Sequence, residues 1–234
     1  MESSSSSESK MTEKIFMSDQ IGFVELLETF GDDLTVVNAA RVSFDKVSYE
    51  LSEADKKLIN YLAKHEHTSP FFHPQVRLRI KMPLFVAREW FRHTIGFARN
   101  EVSRRYVDSK PQCWLPSPDD IRERDPKAKQ GSKATPVNDS NDMWELMSQQ
   151  VQSALQTYDT LLEKGVAPEV ARSVLPQSMY TEFIETCSLA AAARLCHLRL
   201  SPDAQKEIRN FANALNQLLE TRFPVSWKAL QQTF

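Results

Sequence analysis

The stretch Val76–Tyr106, which reads VRLRIKMPLFVAREWFRHTIGFARNEVSRRY, contains the patterns that decide the fold. It opens with strict alternation of apolar and basic residues, which predicts a strand with Val76, Leu78 and Ile80 facing inward. Pro83 favours the start of a helix, because a proline fits the first turn of a helix and has no amide hydrogen to lose there. A strand followed directly by a helix predicts a domain of mixed α and β structure.

The helix predicted after Pro83 has two faces of different character. Apolar side chains fall on one face and polar side chains on the other, at the spacing of residues that neighbour each other on a helix. A helix that only packs against a core gives the same pattern, so the pattern alone does not indicate a site. The apolar face comprises Val86, Ala87, Trp90 and Phe91, and the polar face comprises Arg88, Glu89, Arg92 and His93.

Two further helices are predicted from their end signals. Ser52 followed by Asp55 resembles a capping box for a helix that runs to about Lys64. Ser201 and Pro202 predict the N-cap and the first position of a helix near the C-terminus. The apolar residues of this last helix keep helical spacing at Ile208, Phe211, Ala212, Leu215, Leu218 and Leu219.

Three other segments complete the coarse reading of the chain. A long helix is predicted over about residues 141–164, ending at Gly165, and a second strand around residues 179–186. The polar tract 116–142 lacks apolar periodicity, which predicts a long loop, or a short helix flanked by loops. The fold class is therefore α+β: a helix-rich single domain with a small mixed or antiparallel sheet flanked by helices.

Composition places the chain among ordinary globular proteins. It has 234 residues, of which 41% are hydrophobic and 26% charged, and its net charge is −2. This balance does not indicate a nucleic-acid partner, and no apolar run reaches the ~20 residues of a membrane helix. The Ser-rich residues 1–12 lack the order of a secretory signal and predict a disordered tail before a single domain over 13–234. We therefore expect a cytoplasmic protein.

Basic residues are concentrated in the middle of the chain. Between Arg77 and Arg105 there are seven Arg and one Lys against two Glu, which predicts a compact anionic ligand; a solvated charged face is the alternative. Within this region Asn100–Arg105 combines an amide, a carboxylate, a hydroxyl and two guanidinium groups. Guanidinium forks match phosphate oxygens and a hydroxyl adds a donor, while Asn and Glu suit a base edge or a ribose.

These residues resemble a specific motif. Flavin-dependent thymidylate synthases carry a pattern written RHRxxSxNExSxRY, and here Arg92-His93 supplies its beginning and the segment Asn100–Tyr106 supplies its end. Thr94 stands in place of the second Arg, and one extra residue lies between His93 and Asn100. An extra residue rotates a helix by ~100°, so it must be absorbed at a helix end or in a loop, for which Gly96 is well placed.

Four other segments resemble the same family and occur in its order. Several ordered blocks make a chance match much less probable than one block would. The four blocks are NAARVSF at 38–44, HTSPFFH at 67–73, VARSVLP at 170–176, and LR at 198–199 with AQKEI at 204–208.

The resemblance implies the fold, the reaction and the partners. It implies a fold of the thymidylate synthase-complementing type and the methylation of dUMP with methylenetetrahydrofolate as carbon donor and FAD and NADPH as reductants. It also implies a homotetramer whose subunits share active sites. Neither a nucleic-acid nor a membrane partner is expected. The alternatives are a relative that binds flavin or a nucleotide without methylating it, and a non-enzymatic helical module that binds RNA or an acidic protein.

The resemblance also assigns roles to particular residues. Arg199 is the expected catalytic residue, because the matching Arg is thought to polarise uracil at N3 and so raise the electron density at C5. Ion pairing or a favourable helix-end position would also explain an Arg at these places. The expected dUMP contacts are Glu89, Arg92, Glu101, Ser103, Arg104, Arg105, Arg172 and Arg199.

The flavin contacts implied by the resemblance are more dispersed. His67 and Ser69 also suit a turn that ends a helix, and the run Ala190–Ala193 also suits a helix packed on another helix. The expected FAD contacts are His67, Ser69, Arg92, His93, Thr94, Asn100, Glu101, Ser188, Ala190 and Arg194.

The cysteines give a negative prediction. Cys113, Cys187 and Cys196 are three in number, lack metal-ligand spacing and lie outside the matched catalytic residues. They are predicted to be reduced thiols. No metal site and no covalent cysteine catalysis is therefore expected.

Overall fold

The computed structural model describes residues 13–106, 110–127 and 131–233, so the predicted tail over residues 1–12 lies outside the described residues. Single-turn 3-10 segments join several of the longer elements. The strands are β1 (Glu13–Phe16), β2 (Phe23–Phe30), β3 (Gln75–Pro83), β4 (Phe97–Glu101), β5 (Arg122–Arg124), β6 (Ser132–Pro136) and β7 (Tyr180–Ser188). The helices are α1 (Asp33–Arg41), α2 (Glu53–Lys64), α3 (Leu84–Trp90), α4 (Ser140–Glu163), α5 (Pro168–Ala171), α6 (Leu189–Arg199), α7 (Lys206–Arg222) and α8 (Pro224–Gln231).

A five-stranded antiparallel sheet lies at the centre, in the order β1-β2-β3-β7-β4. The predicted strand over residues 76–81 is confirmed as part of β3, and Val76, Leu78 and Ile80 are each fully buried. The predicted second strand is confirmed as β7, which pairs with β3 on one side and β4 on the other. This sheet with its helices confirms the α+β prediction.

The hydrophobic core lies between the sheet and the C-terminal helices. The whole run Ala190–Ala193 of α6 is buried inside this one chain, so its small side chains serve close packing of α6 within the core. All of the apolar residues predicted for the last helix are buried on α7. Asp33 of α1 accepts hydrogen bonds from the backbone amides of Val225 and Ser226, which caps the first turn of α8.

The predicted helix start at Ser201 and Pro202 is wrong. Helix α7 begins at Lys206, after Gln205. The Ser201 hydroxyl accepts from the amide of Asp203, and its carbonyl accepts from Ala204. Ser201 therefore closes a separate turn before the helix, and the proline that follows it belongs to that turn.

The described part of the polar tract contains two strands, where a long loop or a short helix flanked by loops was predicted. Strands β5 and β6 form a two-stranded antiparallel hairpin within it. Arg122 holds this hairpin to the start of α7, with Nη1 2.6 Å from Asp120 and Nη2 2.7 Å from Glu207. The tract has no apolar periodicity because β6 is exposed along its whole length, so ion pairs rather than a buried face fix the hairpin.

The other helix predictions are confirmed. Ser52 and Asp55 form the predicted capping box at the start of α2. Helix α4 spans nearly the predicted range, and Gly165, with φ +79°, follows its end. Within the described ranges, no helix combines the length and the apolar character needed to cross a membrane.

Candidate active site

The turn between α3 and β4 presents the first half of the motif. Helix α3 ends at Trp90, so Arg92 and His93 lie beyond the helix instead of on its polar face as predicted. Gly96 turns the chain with φ +80°, and a Cβ at this position would lie 2.8 Å from the Cβ of Ala191 and 3.0 Å from the Oγ of Ser188. The extra residue is thus accommodated in a turn that contains a glycine and packs against the start of α6.

Three of the predicted site residues meet beside this turn. The guanidinium of Arg199 donates from Nε to the Nε2 of His93 at 3.1 Å and from Nη1 to the carboxylate of Glu89 at 3.2 Å. Its Nη2 donates to the backbone carbonyl of Glu89 at 2.9 Å. The last residue of α6 is thereby fixed against the end of α3 and the turn that follows, although these residues are 106 and 110 positions apart in sequence.

Each terminal nitrogen of Arg199 carries two hydrogens, and the hydrogen bonds found in the described parts of the chain use one on each. The side chain is 21% exposed. Arg199 is therefore a partly exposed cation that retains one hydrogen on each terminal nitrogen beyond these bonds.

The imidazole of His93 is neutral in this setting. Partial burial lowers its pKa to about 4, and the neighbouring cations Arg199, Arg99 and Arg194 act in the same direction. Because Nε2 accepts from Arg199, the neutral ring carries its proton on Nδ1. His93 thus acts as a hydrogen-bond acceptor that orients Arg199.

A buried carboxylate lies beneath the turn and was not predicted from the sequence. Glu185 of β7 has a fully buried side chain, accepts from Nε1 of Trp90 at 3.1 Å and forms an ion pair with Arg99 of β4. Burial raises the pKa of Glu185, whereas the charge of Arg99 opposes that rise. A Glu in an alternating strand gives no signal by itself, because only the pairing of β4 with β7 places Arg99 opposite it.

The flavin candidates near α6 have clear structural roles. Ser188 is buried and its hydroxyl accepts from the amide of Ala191, which caps α6. Ala190 is buried in the core. Arg194 donates to the backbone carbonyl of Ile95 at 2.8 Å, which holds the turn from the other side.

The flavin candidates His67 and Ser69 line a cavity of about 680 Å³. Its walls come from the end of α1, from α2 and from the 3-10 turn Ser69–Phe72, so the motif blocks at 38–44 and 67–73 meet here. The wall combines apolar, aromatic and basic side chains, including Phe44, Tyr61 and Arg41.

The second half of the motif has other contacts. Asn100 is exposed on β4, and the carboxylate of Glu101 accepts from the hydroxyl of Thr181. Ser103 accepts from the amide of Arg105, whose guanidinium lies 5.0 Å from the ring of Tyr106. Among the described residues, no recorded hydrogen bond or ion pair joins Ser103 or Arg105 to Arg199. The remaining candidates are Arg92, Thr94 and Arg172, which are exposed, and Arg104, which is half-buried.

A larger cavity of about 1120 Å³ opens beside Arg199. Glu89 and Arg199 line one part of it, and the β5–β6 hairpin and the start of α7 line the rest. The hairpin missed from the sequence therefore forms a wall next to the candidate catalytic residue.

The cysteines are poor nucleophiles here. Burial raises the pKa of the thiols of Cys113, Cys187 and Cys196. All three are free thiols. Thiolates are thus disfavoured at these positions.

A charged cluster with a shifted histidine pKa, placed beside a large polar cavity and carried by an antiparallel sheet with helices, defines an enzyme-type site for a small ligand. The family model described as thymidylate synthase complementing protein matches residues 25–225. The chain belongs to this family.

Individual relatives agree with the family model. The flavin-dependent thymidylate synthase of Thermus thermophilus is 39% identical over 211 residues, covering 90% of this chain and 76% of that protein. The flavin-dependent thymidylate synthase of Kosmotoga olearia is 39% identical over 209 residues, covering 89% of each chain. A crystal structure of the UMP/dUMP methylase PolB of Streptomyces cacaoi with 5-Br dUMP superposes with TM-score 0.80 at 28% identity, covering 89% of this chain and 94% of that one.

Proposed function

We propose that this protein is a flavin-dependent methyltransferase that converts dUMP to dTMP. The observation that carries the proposal is the position of Arg199, held by Glu89 and His93 while one hydrogen on each terminal nitrogen is not used by these bonds. The family membership and the dUMP analogue bound by a structural relative support the same reaction.

The protein's contribution is electrostatic. Methylation at C5 of uracil needs electron density on that carbon, and the proton on C5 would be released to solvent after the new carbon–carbon bond has formed. A guanidinium has donors and no acceptor, so Arg199 would stabilise negative charge that develops on the uracil and would not take the proton itself. Neutral His93 and the carboxylate of Glu89 keep the guanidinium in place while this charge develops.

The flavin requirement fits the lining of one cavity of this chain. A flavin needs a slot with aromatic and apolar walls for its rings and cations or amides for its phosphates. The cavity beside His67 and Ser69 offers Phe44, Tyr61 and Arg41. Bound reduced flavin would supply the hydride that completes the methyl group. We propose as further flavin contacts Arg92, His93, Thr94, Asn100, Glu101, Ser188, Ala190 and Arg194, with the Ser188 hydroxyl as a donor and the small Ala190 side chain allowing close approach of its backbone.

The nucleotide phosphate is proposed to be held by a second subunit. Arg104, Arg105 and Arg172 would offset the phosphate charge and the Ser103 hydroxyl would donate to it, with Arg92 and Glu101 contacting the same nucleotide. Among the described residues no hydrogen bond or ion pair joins Ser103 or Arg105 to Arg199, and a shared site would let all of them reach one ligand.

Exposed apolar surface supports the homotetramer. Helix α4 has 24 residues of which Tyr158 is the buried one. Met143, Leu146 and Met147 of the same helix are exposed. Apolar surface of this extent is typical of a protein contact. We propose that α4 packs against other copies of the chain.

The proposal also names the carbon donor and the reductant. Methylenetetrahydrofolate would supply the carbon at the oxidation level of formaldehyde, and NADPH would supply the two electrons needed to bring it to a methyl group. The products are then dTMP, tetrahydrofolate and NADP⁺. A cytoplasmic location is proposed because the three thiols are free.

The decisive experiment measures dTMP formed by the purified protein from dUMP. The complete mixture contains FAD, NADPH and methylenetetrahydrofolate, and each is omitted in turn. We expect product in the complete mixture alone. NADPH oxidation without dTMP would favour a flavoenzyme that does not methylate, and protein without bound flavin would favour the non-enzymatic module.

UMP is a second substrate to compare, because the structural relative is described as acting on UMP and dUMP. The same assay with UMP measures whether the 2′-hydroxyl is tolerated. A higher kcat/KM for UMP than for dUMP would replace the proposed substrate.

A further inference from the structure

The turn that carries His93 is tied to a buried ion pair underneath it. Arg99 and Glu185 are directly opposite each other on β4 and β7. The Glu185 side chain is fully buried and the Arg99 side chain is 15% exposed. A carboxylate in such a place needs a charged partner and hydrogen bonds to remain ionised, and Arg99 together with Nε1 of Trp90 provides them.

Arg99 has a second contact that reaches the site. Its Nη2 donates to the backbone carbonyl of His93 at 2.7 Å. The guanidinium lies 5.0 Å from the ring centroid of Phe91 and 4.9 Å from that of Phe97, which restricts its movement from both sides. Arg99 therefore connects the rigid sheet to the one residue of the turn that accepts from Arg199.

We propose that Arg99 and Glu185 are positioning residues for the active site. Glu185 fixes the guanidinium of Arg99, and Arg99 fixes the carbonyl of His93, so that the imidazole meets Nε of Arg199. The family pattern has a second Arg where this chain has Thr94, and here a guanidinium reaches the same turn from the following strand. The inference rests on the proposed function of the Arg199 site.

Two variants of the Arg99–Glu185 ion pair test the proposal. Arg99→Lys keeps a cation next to Glu185, but a single ammonium lacks the planar fork that serves carboxylate and carbonyl together. Arg99→Met/Glu185→Gln removes both charges at once, so no buried carboxylate is left unpaired, and the new amide still accepts from Trp90. Both variants are expected to fold and to release the His93 carbonyl.

The matched control is Arg77→Met/Glu28→Gln. Arg77 and Glu28 are also opposite each other on neighbouring strands and form an ion pair at 2.6 Å. Their side chains are 48% and 46% exposed and neither touches the site. The control thus removes the same two charges from the same sheet.

The test measures melting temperature, the visible absorption spectrum of bound flavin, and kcat and KM for dUMP. We expect the control to match the wild type in all of them. The Arg99→Met/Glu185→Gln and Arg99→Lys variants should melt within a few degrees of the wild type, show a shifted flavin spectrum, and lose about tenfold or more in kcat, because small displacements of reacting groups have large effects on rate.

Wild-type kcat and an unchanged flavin spectrum in a folded double variant would overturn the inference. If the double variant fails to fold, folded Arg99→Lys decides by the same criteria. If the wild-type protein forms no dTMP, the proposed function fails separately. The flavin spectrum of the variants then decides, since a spectrum equal to that of the wild type overturns the positioning role and a shifted one supports it.

Discussion

Gly96 shows how one residue sets the geometry of the site. Its φ of +80° lies in the left-handed region, where a side chain costs backbone energy. The start of α6 also fills the space that a Cβ would need. Both restrictions act on the turn that presents His93.

Gly96→Ala is therefore expected to lower the free energy of unfolding by about 2–4 kcal/mol, from left-handed strain and overpacking together. Gly165→Ala is the control, because Gly165 has φ +79° but nothing within 4 Å of a Cβ. It should lose about 1 kcal/mol from the backbone alone. Urea unfolding of both variants measures the difference, and equal losses would contradict the close packing of Gly96.

Arg199 is the second decisive residue. Arg199→Ala should fold and bind flavin, but lose about 100-fold or more in kcat, since a preorganised charge at the developing anion is removed. The control is Arg222→Ala, which removes an Arg paired with Glu13 on the exposed face. Steady-state kinetics with dUMP provide the measurement, and near-normal turnover in Arg199→Ala would refute its role.

At the level of elements, Asp55 joins α1 to α2. Its carboxylate accepts from Ser52 at the start of α2, from Arg41 at the end of α1 and from Ser48 in the loop between them. These bonds, with Ser52 contributing most, lower the pKa of Asp55 to about 2 although burial acts in the opposite direction. Arg41 and Leu58 then form parts of the cavity beside His67.

The lowered pKa makes the stability of this junction depend on pH. The unfolded chain binds the proton near pH 4 and the folded chain near pH 2. Ionised Asp55 therefore contributes about 2 kcal/mol to the free energy of unfolding. This contribution is fully present above about pH 4 and is lost as the pH falls towards 2.

Asp55→Asn tests this dependence. The variant should be less stable than the wild type at pH 7, and the gap should narrow as the pH is lowered from 4 to 2. Glu53→Gln in the same turn is the control and should change little, because Glu53 is exposed. Denaturant midpoints across this pH range measure the gap, and a constant gap would rule out the linkage.

At the scale of the whole molecule, the assembly of chains decides how the two halves of the motif, Arg92-His93 and Asn100–Tyr106, reach one ligand. Arg199 is held with Glu89 and His93, whereas Ser103 and Arg105 lie on the segment that follows β4. The proposed tetramer joins one half from each of two chains.

Mixing two inactive variants tests the shared site. Arg199→Ala and Arg105→Ala are each expected to lose most of their activity. After joint unfolding and refolding, mixed tetramers should regain activity, because some sites receive an intact residue of each kind from different chains. Mixtures that stay as inactive as the separate variants would show that each chain builds its own site.

The sequence by itself determined the central strand, the start of α2, the end of α4 and the residues of the family motif. Strict alternation in VRLRIK, the capping box at Ser52 and the glycine after α4 are local signals, and local backbone preferences suffice to interpret them. His93 and Arg199 lie in motif blocks and Glu89 on the predicted polar face, so residue type and order sufficed to name all three as candidates.

Only the tertiary structure decided which of those residues meet. The pairing of β4 with β7 places Arg99 over Glu185, and the packing of α6 brings Arg199 to His93. The β5–β6 hairpin and the late start of α7 were also not predicted from the sequence. Ion pairs fix the hairpin and a local turn precedes α7, and neither produces apolar periodicity. Contacts between residues 86 to 110 positions apart in sequence depend on how the elements pack, and no local pattern encodes them.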